Sequence, residues 1–118
     1  MRFDISGRRT GKTTRLLNSL VIEMIKHPDN TILFYTINKV ALPEFINKNS
    51  KIKVNPSSVR GLPGDKLLLF VDDVNVNALF KRVFENEKIF ALYPKLRANS
   101  YFSVDAEFNG SFVKELTK

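Results

Sequence analysis

Two kinds of apolar pattern alternate along this chain. Residues 1–5, 31–37, 67–71 and 100–105 are short, largely apolar stretches, and each reads as a strand. Between them, apolar positions recur three and four residues apart. Leu16, Leu17, Leu20, Val21, Met24 and Ile25 share one face of a helix over residues 13–26, which Pro28 and the polar Asp29-Asn30 end. Val76, Leu79, Phe80, Val83 and Phe84 form a second helical stripe. Ile89, Leu92, Tyr93 and Leu96 continue it as a further helix that Pro94 kinks or breaks. Residues 42–47 read as a short helix entered through Pro43, and residues 111–116 as a closing one. Ile52 and Val54 alternate with Lys51 and Lys53, the mark of a half-exposed edge strand. Gly61, Pro63 and Gly64 make a turn before the strand at 67–71.

Strands that alternate with helices imply right-handed crossovers and a parallel sheet covered on both faces. The expected fold is one small three-layer α/β/α domain over residues 1–118, with four main strands. A chain of this size buries roughly two-thirds of its unfolded surface. Nothing repeats, and no low-complexity tract or linker divides the chain. Most of the ten phenylalanines fall on the apolar faces, so they read as core and not as base-stacking platforms.

Composition removes several classes. No apolar run approaches the ~20 residues of a membrane span, and no charged start and apolar stretch of a signal peptide opens the chain. There is no cysteine, so neither a disulfide framework nor a Cys-based zinc site can form. The single histidine, His27, precedes Pro28 at a helix end and receives no role. A cytoplasmic protein with no membrane partner is expected. The formal charge is +7, and all of it lies in the first half: residues 1–61 hold eleven basic and four acidic side chains, residues 62–118 eight of each. Arg8, Arg9, Lys12 and Arg15 contribute four of the cations, and Lys39, Lys48, Lys51, Lys53 and Arg60 are candidates for one basic surface. Such a surface suits a polyanion through counterion release, and equally suits a merely soluble face rich in lysine.

The chemistry concentrates in two places. Ser6-Gly7-Arg8-Arg9-Thr10-Gly11-Lys12-Thr13-Thr14 lies between the first strand and first helix, where a phosphate-binding loop is built. Backbone N–H groups of such a turn surround phosphate oxygens, and the positive helix end favours the same anion. Lys12 would reach the β/γ-phosphates, and the Thr13 hydroxyl would ligate Mg²⁺. The usual spacing has glycine where Ser6 stands, while Gly7, Gly11, Lys12 and Thr13 keep the turn and its chemistry. A basic turn that binds nothing is the bland alternative. The second place is Asp72-Asp73 at the carboxyl end of residues 67–71, the sheet edge where α/β proteins bind ligands. Asp72 is placed to hold Mg²⁺ as a Walker-B aspartate does, and Asp73 stands where a glutamate often polarises the attacking water.

These motifs, in this order, resemble the ATPase domain of the large terminase subunits that package DNA into tailed bacteriophage heads. Gly7-Arg8-Arg9-Thr10-Gly11-Lys12-Thr13 is similar to that family's deviant Walker A. Arg60-Gly61 followed by Asp65-Lys66-Leu67-Leu68-Leu69-Phe70-Val71-Asp72-Asp73 is similar to its passage into Walker B. Leu92-Tyr93-Pro94-Lys95-Leu96-Arg97 with residues 100–103 resembles the segment leading to its coupling motif. The resemblance implies a P-loop NTPase fold of the additional-strand class, ATP with Mg²⁺, and Arg8 as a γ-phosphate sensor. Ser103, beside the expected Walker-B strand, becomes a candidate for the same γ-phosphate. It further implies double-stranded DNA, other viral packaging proteins and a homo-oligomeric ring as partners, in a host cytoplasm. Arg60, Arg82 and Arg97 are then the candidates for an arginine acting across the ring. Three departures stand out: no adenine-binding segment precedes the first strand, no nuclease domain follows, and serine and acid replace the coupling threonine. The expected mechanism uses the loop from Gly7 to Thr14 and Lys12 on the phosphates, Thr13 and Asp72 on the metal, and Asp73 on water. A nucleotide-binding regulator with little turnover and a small P-loop kinase remain as alternatives.

Overall fold

A computed structural model of the chain describes residues 1–7, 10–38, 42–107 and 110–118. Along it run β1 (Arg2–Ser6), α1 (Lys12–Lys26), β2 (Thr31–Tyr35), α2 (Glu44–Lys48) and β3 (Ile52–Val54). After these come β4 (Leu67–Val71), α3 (Ala78–Glu87), α4 (Ile89–Leu92), β5 (Ser100–Asp105) and α5 (Ser111–Leu116). Tight 3₁₀ turns occupy Gly64–Lys66, Val74–Val76 and Pro94–Leu96.

The five strands form one sheet in the order β1-β5-β4-β2-β3, and every neighbouring pair is parallel. The last strand in sequence, β5, therefore lies between the first strand and β4. Because side chains alternate along a strand, each strand feeds both faces. Leu33 and Tyr35 of β2, Leu69 and Val71 of β4 and Phe102 and Val104 of β5 pack under α3, α4 and α5. Ile32 and Phe34 of β2 and Leu68 and Phe70 of β4 pack against α1 and α2 on the other face. The architecture is thus three-layered α/β, as the alternating pattern predicts. No helix among the described residues is long and apolar enough to cross a membrane.

Where the elements depart from expectation, the causes are local. β2 stops at Tyr35, two residues early, because the Thr36 N–H is taken by the Asn55 side chain (2.9 Å). β1 runs to Ser6, opposite Asp105 of β5, so the loop begins at Gly7. The helix expected over 89–96 ends at Leu92, since Pro94 offers no N–H and the chain re-forms as a 3₁₀ turn. On α1 the buried stripe is Leu16 and Leu20 flanked by Leu17 and Met24. It is narrower than the apolar one, and Ile25 stands 75% exposed.

Candidate functional site

All strands are parallel, so their carboxyl ends line one edge of the sheet. There the alternation that built the core turns polar. The row Leu68-Phe70 continues to Asp72, the row Ile32-Phe34 to Thr36, and Tyr101 is followed at the same spacing by Ser103. Asp4 and Ser6 end the matching row of β1. These side chains lie on the α1 side of the sheet, beneath the loop that opens α1.

That loop enters α1 through one glycine and is braced by one arginine. Gly11 caps α1 with φ 81°, a left-handed conformation that glycine adopts without steric cost. The Thr10 hydroxyl donates to the Gly7 carbonyl (2.7 Å) and closes the turn. Arg15, one turn into α1, donates from Nε and Nη2 to the Asp4 carboxylate (2.6 and 3.1 Å), from Nη2 to the Ser6 hydroxyl (3.0 Å) and from Nη1 to the Thr10 carbonyl (2.5 Å). Its hydrogen bond holds the Asp4 carboxyl below the usual aspartate range. The first turn of α1 carries no acidic residue, and the Gly11 side makes no side-chain cap. Its amides, which lack intrahelical acceptors, and its positive dipole end are left for an anion.

Beneath the loop, α1, β4 and β5 converge. Lys12 is 7% exposed, and its Nζ sits 3.0 Å from Asp73 Oδ1. The Thr13 hydroxyl donates to the Asp72 carboxylate, 3.1 and 3.0 Å from its two oxygens. Ser103 Oγ donates to Asp72 Oδ1 (2.7 Å) and accepts the Asp73 N–H (2.7 Å). Thr36 Oγ1 lies 3.4 Å from Asp72 Oδ2, a weaker contact. Asp72 is fully buried, its oxygens are met by neutral hydroxyls, and it forms no ion pair among the described residues. A buried carboxylate in that condition favours a cation beside it. The Thr13 hydroxyl, with its O–H directed at Asp72, keeps lone pairs for a hard cation. The donor set of one carboxylate and one hydroxyl suits Mg²⁺, which is held by few protein oxygens and keeps its waters.

Asp73 differs from its neighbour. It has φ 49° and ψ 56°, a left-handed conformation in which aspartate and asparagine are enriched among non-glycine residues. The Ser103 bond to its N–H and the Val76 N–H on its carbonyl (2.9 Å) secure the turn. In a continuing strand Asp73 would face away from Asp72; the left-handed turn returns it to Lys12. Burial lifts its carboxyl above the usual range, the adjoining Lys12 ammonium opposes this, and the Asp72 charge adds to the rise. The 3.0 Å approach is a charge contact off the hydrogen-bonding direction, so the buried Oδ1 has no aligned hydrogen bond among the described residues.

The residues singled out from sequence thus divide. Lys12, Thr13, Asp72, Asp73 and Ser103 meet in one cluster, while Gly7, Thr10 and Gly11 form the turn above it. Thr14 is exposed on the first turn of α1. Arg8 and Arg9, the γ-phosphate candidate among them, lie outside the described residues, as does Lys39. Of the three arginines considered for action across a ring, Arg97 is committed to the Leu116 carbonyl (2.5 Å) and the Phe90 ring, and Arg60 lies 3.6 Å from Glu87. Arg82 is exposed on α3. Sequence reasoning missed the Arg15 brace, although an acid inside the first strand was a signal for it. It also missed Thr36 and the hold of Ser103 on both aspartates. Comparison with known proteins finds no matching family model, curated protein or solved structure.

Proposed function

We propose that this chain is a P-loop protein that binds ATP with Mg²⁺ and hydrolyses it, a minimal core of the DNA-packaging type. The observation that carries this reading is the cluster itself. Residues 59 or more positions apart in sequence, Thr13 with Asp72 and Lys12 with Asp73, meet under a glycine-shaped helix N-terminus. Support also comes from β5, inserted between the loop-bearing strand and the strand that ends in Asp72, as the name of the additional-strand class describes.

In this reading Lys12 and the first amides of α1 hold the β- and γ-phosphates. Thr13 and Asp72 hold the metal, which when bound neutralises charge on those phosphates. Ser103 fixes Asp72 and the Asp73 backbone, and Asp73 accepts a hydrogen bond from the attacking water. Catalysis of this kind consists of positioning and electrostatic stabilisation. The test is steady-state ATP hydrolysis by the wild-type chain and Lys12→Ala, with and without double-stranded DNA. Turnover that disappears in the variant and rises with DNA supports a DNA-directed ATPase. Turnover indifferent to DNA removes that partner. A second reading, a nucleotide-binding regulator, draws on the engagement of Asp73 by Lys12. Saturable MgATP binding with no turnover would favour it.

A further inference from the structure

We propose that the site carries its own latch: Asp73 holds Lys12, and the terminal phosphates of a nucleoside triphosphate bind by taking Lys12 from it. This rests on the nucleotide reading of the site and adds a regulatory step to it.

The latch follows from burial and geometry. The Lys12 and Asp73 side chains are 8% and 13% exposed, so the pair is largely out of water. A desolvated charge cannot simply leave its partner, because the abandoned ion would be buried alone. It can exchange that partner for another anion delivered to the same place. Asp73 is a suitable occupant to displace. Its left-handed backbone, bonded to Ser103 and Val76, aims the carboxylate back at Lys12, yet Oδ1 gains no aligned hydrogen bond there. A triphosphate carries more charge and also meets the first turn of α1, which has no acidic residue and no side-chain cap of its own.

The exchange has a consequence for order. While Lys12 holds it, the Asp73 carboxylate is unavailable to a water. Once phosphate holds Lys12, Asp73 is left beside Asp72 without its cation, its N–H still on Ser103, and that cost is what the latch sets against phosphate binding. Phosphate binding and the freeing of Asp73 are then one event, so the hydrolytic carboxylate is exposed only in the loaded site.

The test compares the dissociation constants of MgATP and of inorganic triphosphate, a probe without base or sugar, for wild type, Asp73→Asn and Lys12→Ala. Asparagine tolerates the left-handed turn and removes the charge. If the latch leaves about a tenth of the empty molecules open, Asp73→Asn should bind triphosphate roughly tenfold more tightly than wild type. Lys12→Ala should lose binding. Equal or weaker binding by Asp73→Asn, with Lys12→Ala inactive in binding, overturns the latch and leaves the site reading intact. Binding that survives in Lys12→Ala, or is absent from all three chains, overturns the site reading and the latch with it. In the unaltered chain, the ¹³C signal of the Asp73 carboxyl should move as triphosphate saturates the protein. A signal that stays fixed at saturation contradicts the exchange without any substitution.

Discussion

The two faces of this sheet are built from the same strands and used for different ends. Under α3, α4 and α5 the face is aromatic and dry. Phe80 sits among Tyr35, Phe84, Phe102 and Phe112 with ring centres 5.3 to 6.2 Å apart, within the range of favourable edge and offset contacts. Under α1 the apolar rows stop one residue short of the sheet edge and give way to Asp72, Thr36 and Ser103. One face is core throughout, and the other gives up core for a cluster of buried polar side chains. Alternation makes the division possible, because successive side chains of one strand point to opposite faces.

Substitutions that strike one face at a time should separate these roles. Phe80→Ala removes a fully buried ring and should cost about 3–5 kcal/mol in denaturant unfolding. The fraction still folded should bind nucleotide as before; weakened affinity there would mean the faces are coupled. Ser103→Ala strips Asp72 of a donor and the Asp73 N–H of its acceptor. It should cost about 1–3 kcal/mol of stability, and kcat should fall while KM changes little, the split expected of a positioning residue. Asn77 caps α3 by accepting the Phe80 N–H (3.1 Å) on the aromatic side. Asn77→Ala should cost about 1 kcal/mol, read as a lower unfolding midpoint at constant slope.

The smallest effect belongs to the brace. Arg15 holds the Asp4 carboxyl below its ordinary value of 3.8, so the pair stabilises the fold above that pH. This contribution is lost as the pH falls through the lowered value. Both side chains are substantially exposed, so Arg15→Met should lower the unfolding midpoint at pH 7 only slightly. The gap to wild type should close as the pH falls through that lowered value; a gap that stays unchanged in acid would show that Arg15 acts through something other than Asp4.

Much of this division was legible in the chain, for physical reasons that differ by residue. Apolar runs bounded by turn residues place β4 and β5 where the pattern puts them. Gly11 announces the turn that opens α1, because glycine adopts its φ of 81° without steric cost. The order β1-β5-β4 was not legible from local pattern, since contacts distant in sequence set it. Nor was the double duty of Ser103, which depends on β5 lying beside β4. The left-handed turn at Asp73 could be allowed from its residue type but not required. Arg15 was counted among the loop's cations, and only the packing of α1 against β1 turns it onto Asp4.

The central claim is that Lys12 and its neighbours form a phosphate site. Calorimetric titration of MgATP into wild type and Lys12→Ala, with circular dichroism confirming that both are folded, tests it most directly. Saturable binding by wild type that is lost in the folded variant is the expected result. Wild-type affinity in Lys12→Ala would contradict the claim and leave the cluster beneath the loop as a structural ion network.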